Sequence, residues 1–530
     1  MGLKIKEEIL HVESLVGENT AQTVLQTTLD LSSSAPSIGR VVWVKGTAVI
    51  SDAAAASDKV NLDGYIDLTL IYAAEDFDEG PASYQVIPYR QAIAFSDYVE
   101  VIGAEEGMRV STKIDLLGIE WELQSDQRAV SVDVLVQLTA EVKQQSRIQA
   151  VTSASVKPPR KLAVDDGVFT VRSLLKPVFT SLGVNQELSL PESAEPIHFI
   201  LDCQPKPIIL ETVINQEQIT LTGNLNVNLI YLDENGSIHS NAFKNVFPFT
   251  VSVPNETKIT DLAVEPEVTA EIKTVLSPSS GSFTLTGDLR FKVALFESKQ
   301  VRIVFDLAGS GGCVVETRTE PVMLDHLVNE KTQQASAQGV LELSGSYPPI
   351  REIVGSEGRV VNYDFRVDDD KVFVEGSISL EFAYLAHIED EHKPLYWAAF
   401  NNAVPFQQVI AIGGVQPGMI ADLEIEVTDL NLDLINRETI EVDVTYRSRL
   451  KVTEPVQREI VVEAIEVPPL EEDPPTVTYV LVNETDTLWK LSRQYHTSLE
   501  AILEANSWLR EREQMRLLPR DKLCIPRKVW

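Results

Sequence analysis

Apolar and polar residues alternate with a period of two along much of the chain. The alternation is clearest at residues 66–70, 130–136 and 440–444. It indicates β-strands with one buried face and one solvated face. Turn residues separate such segments, and Asn235-Gly236 after one of them predicts a type I′ hairpin turn. Many short strands joined by turns predict a mainly β fold built from antiparallel, β-sandwich-like domains.

One spacing of four residues occurs three times, which indicates an internal repeat. A Leu, an Ile, a Gly and a Tyr follow one another at intervals of seven, 26 and eight positions. The three sets are Leu31, Ile38, Gly64 and Tyr72; Leu190, Ile197, Gly223 and Tyr231; and Leu343, Ile350, Gly376 and Tyr384. Copies one and three also share a lead-in, at 15–18 and 327–330, and a glycine-containing loop, at 103–108 and 414–419. The middle copy lacks both features and has therefore diverged most.

These signals predict three tandem β repeats followed by a different C-terminal module. We expect repeat 1 at residues 8–145, the divergent repeat 2 at 168–300 and repeat 3 at 320–454. An acidic, proline-rich linker is predicted at 455–476, and the module at 477–530. A chain of 530 residues fits this number of domains. Prolines extend a linker and like charges oppose its collapse, so we expect a semi-rigid spacer.

The net charge of −34 is unevenly distributed. The last 54 residues have a net charge of +2, which leaves −36 for the rest of the chain. A strongly acidic body repels phosphate groups, so we expect no nucleic acid as partner. No apolar run approaches the length of a membrane helix, so we expect no membrane insertion. Three widely spaced cysteines, an N-terminus without an apolar stretch and the lack of any membrane-length apolar segment favour the cytoplasm.

The C-terminal module shows its own pattern. A strand is predicted from Tyr479, and Asp486 can cap a helix whose apolar residues share one face. Thr497 and Glu500 form a predicted capping box at the start of a second helix. Residues 522–526 predict a closing strand. The expected order is β-α-α-β.

The sequence blocks of this module resemble a LysM domain in their order and spacing. They are Tyr479-Val480, Asp-Thr-Leu-Trp at 486–489, Asn506 after the second helix, and Lys-Leu-x-Ile-Pro at 522–526. LysM domains bind N-acetylglucosamine polymers through the loop after the first strand and the loop before the second. The resemblance therefore implies ligand-binding positions at Thr485, Asp486, Thr487, Leu488, Asn506, Trp508, Arg510, Arg512 and Arg516.

Two departures from the LysM pattern bear on the ligand. Thr485 and Arg520 stand where LysM domains usually have glycine, so we expect both loops to be reshaped. Charged residues such as Arg510 and Arg516 crowd the second loop, which favours a protein ligand over a sugar. Trp508 has three open interpretations: a platform for a sugar, an anchor for a protein, or a side chain that steadies the loop.

The repeats resemble a second family. Leu-Val-Gly-Glu at 15–18, Pro-Ser-Ile at 36–38 and the strand at 64–72 are similar to SPOCS domains of spore coat proteins in endospore-forming Firmicutes. SPOCS domains followed by a LysM domain resemble the SipL-type coat morphogenesis proteins. That resemblance implies a location on the forespore surface, in the mother-cell cytoplasm. It also implies that the LysM domain contacts the ATPase that polymerises into the basement layer of the coat.

Local signatures of catalysis or metal binding are missing from the sequence. The glycine-rich segment at 308–313 lacks the Lys and Ser/Thr of a phosphate-binding loop, and the acidic clusters at 76–79 and 368–370 do not match a calcium loop. We therefore expect a non-enzymatic scaffold with no cofactor and no metal. Two alternatives stay open: a binding protein for peptidoglycan or chitin-type polymers of the wall or cortex, and a wall hydrolase that the LysM domain directs to its substrate.

Overall fold

The computed structural model describes residues 2–75, 83–158, 161–175, 177–260, 262–277, 281–310, 313–343, 345, 347–388, 393–467, 476–512 and 515–526. Most of this chain is β-strand, and the two α-helices described lie near the C-terminus. The acidic cluster at 76–79 and the linker residues 468–475 lie outside the described residues, as do positions 311 and 312 of the glycine-rich segment.

Each repeat is a sandwich of two three-stranded antiparallel sheets. The strands of repeat 1 are β1 (Lys4–Asp30), β2 (Ile38–Ala56), β3 (Lys59–Ala74), β4 (Tyr84–Glu100), β5 (Arg109–Leu123) and β6 (Ala129–Ser155). Those of repeat 2 are β7 (Lys161–Leu174), β8 (Val178–Ser189), β9 (Phe199–Ile214), β10 (Gln218–Leu232), β11 (Ile238–Pro254), β12 (Leu262–Leu276) and β13 (Ser282–Ser310). Those of repeat 3 are β14 (Val314–Glu342), β15 (Ile350–Asp368), β16 (Lys371–Ala386), β17 (Leu395–Ala411), β18 (Ile420–Asn436) and β19 (Thr439–Val467).

The three sandwiches have the same strand order. The first sheet contains β1-β6-β5, β8-β13-β12 or β14-β19-β18, and the second is β2-β3-β4, β9-β10-β11 or β15-β16-β17. Pairing of β7 with β14 joins the first sheets of repeats 2 and 3 into one seven-stranded sheet. The alternating apolar residues of the central strands fill one core per repeat. The mainly β, sandwich-like prediction is therefore confirmed. The predicted hairpin between β10 and β11 is present, but only Gly236 of its turn has a positive φ, so the turn is not type I′.

The repeated glycine makes room for an aromatic ring. It lies in the central strand of the second sheet, and the ring comes from the neighbouring strand. A Cβ added to Gly64 would lie 2.5 Å from the Phe95 ring, one on Gly223 2.4 Å from Phe249, and one on Gly376 2.8 Å from Phe406. Real Cβ atoms do not approach a ring so closely, so any side chain at this position would force the ring or the adjacent backbone to shift.

The repeated tyrosine closes each sandwich with the same hydrogen bond. Its ring is fully buried, and its hydroxyl donates to a main-chain carbonyl 36 residues earlier. Burial raises the pKa of the Tyr72 hydroxyl to about 12. The acceptors are Pro36 for Tyr72 (2.9 Å), Glu195 for Tyr231 (2.9 Å) and Pro348 for Tyr384 (3.1 Å). The sequence spacing of the anchors thus reflects a contact between a strand and the loop before the second sheet.

The two features that only repeats 1 and 3 share form one structural unit. The lead-in is a β-bulge, centred on Val16 in β1 and on Val328 in β14. The shared loop supplies a glycine that packs on the bulged valine: Cβ positions on Gly103 and Gly414 lie 3.3 and 3.6 Å from Val16 and Val328. In repeat 2 the corresponding strand is interrupted between β7 and β8. Losing the bulge removes the surface on which the loop packs.

The long strands continue beyond each sandwich as two-stranded ribbons. β1 pairs with β6 from Lys4 and Ser155, β7 pairs with β13, and β14 pairs with β19 out to Val314 and Val467. The strands therefore run past the repeat ends at 145, 300 and 454 that the sequence predicts.

The prediction of a linker from residue 455 is wrong for its first part. Residues 455–467 form the end of β19 and pair with β14. β18 pairs with β19 only as far as Thr453, so Pro455 lies just beyond the three-stranded part of the sheet. A proline is tolerated there because its missing N–H interrupts no central ladder.

The outer faces of the second sheets meet in a further hydrophobic cluster, the central cluster. Each repeat contributes the same four positions, which lie on the three consecutive strands of its second sheet. They are Val42, Ile71, Ala73 and Tyr84 from repeat 1; Leu201, Ile230, Leu232 and Ile238 from repeat 2; and Val354, Ala383, Leu385 and Leu395 from repeat 3. The three repeats therefore surround a common centre.

Other contacts hold the repeats around this centre. Trp43 of repeat 1 stacks on Trp397 of repeat 3 with 3.7 Å between ring centroids. Lys45 of repeat 1 forms an ion pair with Asp202 of repeat 2 at 3.0 Å. The ribbons also pack together, with the equivalent residues Ala150, Ile303 and Ile460 in one buried cluster and Val151, Val304 and Val461 in another. The repeats thus form one interlocked body.

The C-terminal module has its own small core. Its elements are β20 (Val477–Leu481), α1 (Leu488–Gln494), α2 (Leu499–Ala505), a 3-10 helix (Ser507–Glu511) and β21 (Lys522–Pro526). β20 and β21 pair antiparallel, and the helices bury residues such as Leu491 and Ile502 against them. The predicted β-α-α-β order is confirmed.

Candidate functional site

The first loop of the module runs from β20 to α1 and is held by local hydrogen bonds. Asp486 accepts the N–H of Asn483 at 2.8 Å, which closes a turn before the helix. Thr487 caps α1, because its hydroxyl accepts the N–H of Lys490 at 3.1 Å. The prediction that Asp486 caps this helix is therefore wrong by one residue. The Thr487 side chain is solvent-exposed although its hydroxyl forms the cap hydrogen bond.

The cap of α2 is also shifted by one residue from the prediction. Ser498 accepts the N–H of Ala501 at 3.1 Å, so it is the N-cap. Thr497, the predicted cap, instead donates its hydroxyl proton to the carbonyl of Pro526 at 2.7 Å. The capping box of Thr497 and Glu500 is therefore wrong. The hydroxyl of Thr497 ties the start of α2 to the end of β21.

Asn506 is buried and orders the start of the second loop. Its amide nitrogen donates to the carbonyls of Ile502 and Cys524, at 2.7 and 2.6 Å. Its amide oxygen accepts the N–H of Cys524 at 2.8 Å. These bonds connect α2 with β21 and engage both polar atoms of the side chain. Asn506 thus shapes the loop from inside the module.

Arg512 and Asp521 brace the second loop. Arg512 Nη1 donates to Asp521 Oδ2 at 2.5 Å, and Nη2 donates to Oδ1 at 3.2 Å. The same carboxylate accepts the N–H of Leu518 at 2.8 Å. The hydrogen bonds from Arg512 hold the pKa of Asp521 below its usual value. The guanidinium also lies over the Trp508 ring, 4.7 Å from its centroid.

The two loops lie side by side. Val482, directly after β20, donates its N–H to the carbonyl of Asp521 at 2.9 Å and accepts the N–H of Arg520 at 2.7 Å. The side chains exposed on this surface include the carboxylates Glu484 and Glu511. The hydroxyl-bearing, cationic and apolar ones among them form a set that we call the loop surface. It comprises Thr485, Thr487, Arg510, Met515, Arg516 and Leu518. Asp486, Trp508 and Arg512 are half-buried within it, and Leu488 packs on the module's core.

The two glycine replacements have different effects on the backbone. Arg520 adopts φ +73°, the left-handed conformation that glycine would allow without strain. The second loop thus keeps a glycine-like turn despite the substitution. Thr485 is not among the residues with positive φ, so the first loop follows an ordinary backbone path there.

The sequence pattern did not indicate a second polar contact of the module. Trp489 and Arg493, on α1, both bind Asp306 of β13. Trp489 is part of the LysM-like block, but Asp306 lies more than 180 positions earlier in a strand with no motif. Only the folded chain brings these residues together.

Two family models match the chain. The SipL, SPOCS domain model matches residues 37–124, 196–276 and 349–435, one match in each repeat. The LysM domain model matches residues 480–526. The chain belongs to the SPOCS–LysM proteins of SipL type. No match was found among curated proteins, and none among solved structures.

The families fix the broad class of activity of this SPOCS–LysM protein. The LysM domain indicates binding of N-acetylglucosamine-containing polymers, and the SPOCS domains indicate a role related to the spore coat. Both are binding or adaptor domains and not catalytic ones. In the part of the chain that the structure describes, no helix has the length and apolar character needed to span a bilayer. Within the same residues, no three or more His, Cys, Asp or Glu side chains cluster closely enough to hold a metal ion.

Proposed function

We propose that the protein is a non-enzymatic adaptor in endospore coat assembly, located in the mother-cell cytoplasm and tethered to the forespore surface through its LysM domain. The observation that carries the proposal is the combination of three SPOCS domains and one LysM domain on a single chain. The repeats form one large body with a shared centre, which suits a scaffold. The LysM domain supplies a separate recognition surface.

The partner that we propose for the LysM domain is a coat protein, with the basement-layer ATPase as the first candidate. Two side chains that a sugar would need are already engaged. The amide of Asn506 is bonded inside the module, and Arg512 covers one face of the Trp508 ring. Exposed Arg510 and Arg516 beside apolar Leu518 suit an acidic, partly apolar protein surface.

Charge reversal on the loop surface tests this proposal in a sporulating cell. In the full chain, Arg510→Glu with Arg516→Glu should abolish both forespore localisation and co-purification of the ATPase. The matched control is Lys244→Glu with Lys258→Glu, which changes the net charge equally at exposed positions of repeat 2. The proposal is wrong if the loop variant localises and co-purifies like the control.

The alternative function is binding of peptidoglycan or chitin-type N-acetylglucosamine polymers. The LysM match supports it, together with the exposed hydroxyl groups of Thr485 and Thr487. Calorimetry of the full chain with chitin and peptidoglycan oligomers separates the two functions. Binding that survives the Arg510 and Arg516 reversals and is lost in Thr485→Val would favour the glycan. Absence of heat at millimolar oligomer would favour a protein partner.

A further inference from the structure

The LysM domain contacts the repeat 2 ribbon through one face of α1 and through Glu500 of α2, which forms an exposed ion pair with Lys161 of β7 at 3.1 Å. Trp489 Nε1 donates to Asp306 Oδ2 at 2.8 Å, and Arg493 Nη1 donates to Oδ1 and Oδ2 of the same carboxylate at 2.8 and 3.0 Å. Arg493 Nη2 also donates to Thr317 Oγ1, on the neighbouring ribbon, at 3.0 Å. Only 20% of the Asp306 side chain stays exposed. Charge-assisted bonds of this kind are stronger than neutral ones.

A β-bulge places Asp306 where the LysM domain can reach it. β13 has one extra residue, Phe305, in its pairing with β7, and bulges re-aim the side chains that follow them. The other two ribbons have a bulge at the equivalent position. The residue after the bulge is Ser153 in repeat 1 and Glu463 in repeat 3, and Glu463 pairs with Arg318 at 3.3 Å. The carboxylate of repeat 2 is the one that receives the LysM domain.

Charge and chain connection both favour this contact. The chain without residues 477–530 has a net charge of −36, and the module has +2. Nine residues separate the end of β19 from the start of β20. A short connection of this kind gives an effective concentration of about 1 mM, so a contact with a dissociation constant of about 0.1 mM is closed roughly nine-tenths of the time.

We propose that this contact is a charge-dependent latch that holds the LysM domain on the repeat body. A partner that needs Trp489 and Arg493 must displace Asp306, whereas the loop surface stays accessible while the latch is closed. The latch therefore determines which face of the LysM domain is available for binding. The latch is a contact within the chain and does not depend on which coat protein binds the LysM domain. The latch and the proposed partner can therefore be disproved independently.

Fluorine NMR of the full chain labelled with 5-fluorotryptophan tests the latch. The LysM domain carries Trp489 in the contact and Trp508 outside it, and Trp43 reports on the repeat body. Each signal is assigned by a Trp→Phe variant. With the latch closed, Trp508 tumbles with the body, so its line should be as broad as that of Trp43. Asp306→Arg and Arg493→Glu should each narrow the Trp508 line at least about twofold, because a released module reorients faster.

Further variants show whether the ion pair between Asp306 and Arg493 holds the latch closed. Asp306→Asn keeps an acceptor for Trp489 but loses the charge, so it should narrow the line to an intermediate width. Glu463→Arg, at the equivalent position of repeat 3, should leave it unchanged. Combining Asp306→Arg with Arg493→Glu should broaden the line again in part, because the ion pair is reformed while Trp489 has lost its acceptor. Raising the salt from about 0.05 to 0.5 M should narrow the wild-type line, because it shortens the Debye length.

Three outcomes would overturn the latch. The first is a narrow Trp508 line in the wild-type chain at low salt. The second is an unchanged line in both single charge reversals. The third is release by Glu463→Arg to the same extent as by Asp306→Arg. An unchanged Trp508 chemical shift in Arg493→Glu shows that the module is still folded, so that narrowing reports release and not unfolding.

Discussion

Arg520 holds a left-handed backbone at the end of the second LysM loop, with φ +73°. Its N–H is fixed by the carbonyl of Val482, so the turn that joins the two loops requires this conformation. Its side chain is exposed. A left-handed φ costs a residue with a Cβ about 1–2 kcal/mol, a cost that glycine avoids. The chain therefore keeps the LysM turn at a cost in stability.

Arg520→Gly should stabilise the LysM domain. We expect a gain of about 0.5–1 kcal/mol, since relief of backbone strain exceeds the extra chain entropy of glycine. Hydrogen exchange of the β21 amides in the full chain measures it. Lys522→Gly is the control, because Lys522 lies in a regular strand and its replacement should speed exchange. Unchanged or faster exchange of the β21 amides in Arg520→Gly would show that the turn is not strained.

At the scale of single elements, the repeated glycine of the second sheet explains a conserved spacing within the chain. Gly223→Ala should destabilise repeat 2 by about 1–3 kcal/mol, because the added methyl would overlap the Phe249 ring and the carbonyl of Ile208. Hydrogen exchange of the repeat 2 amides, measured as a function of denaturant concentration, gives the loss in the free energy of unfolding. Gly183→Ala in β8 is the matched control: nothing lies within 4 Å of its Cβ position and its φ is ordinary. A similar loss in both variants would argue against the overlap.

The strands could be predicted from the sequence because each sandwich buries alternate residues. The central cluster could not, although one signal points to it. Residues 70–74 are apolar without interruption, the pattern of a strand buried on both faces. The pattern shows that a second face is covered but not by what, since the covering residues come from the other two repeats. The sequence predicts a linker at the end of β19 because Pro455 and nearby charges outweigh its buried residues, such as Ile460.

The candidate site could be predicted only as two loops. The LysM-like blocks locate both loops, since their spacing along the chain is fixed by the fold. They do not show which side chains point outward: Asn506 faces the interior, and Arg512 is bonded to Asp521. The caps were misplaced by one residue because Asp486, Thr487, Thr497 and Ser498 are all good N-cap residues. The contact with Asp306 depends on a β-bulge, for which the alternation of apolar residues contains no sign.

At the scale of the whole molecule, the central cluster gives a reason for three copies. The second sheet of each repeat is apolar on both faces: one face fills its own sandwich and the other the shared centre. With one repeat missing, the eight remaining cluster positions would face solvent on one side. Exposed apolar surface of that kind destabilises a soluble domain or promotes association. With three copies, the outer faces of all three second sheets are buried against one another.

Cooperative unfolding of the three repeats follows from this arrangement. Ile230 lies in the central cluster, 4% exposed, so Ile230→Ala removes buried methyl groups that repeats 1 and 3 also contact. The body should lose about 2–4 kcal/mol of stability. Since about 1.4 kcal/mol is a factor of ten, its slowest amides should exchange about 30- to 700-fold faster. The increase in exchange rate should be equal in β3, β10 and β16.

Amides of α2 serve as the internal control, because the LysM domain has a separate core and should be unaffected. Faster exchange confined to β9, β10 and β11 would mean that the repeats unfold independently, in which case the shared centre contributes contact but not cooperativity.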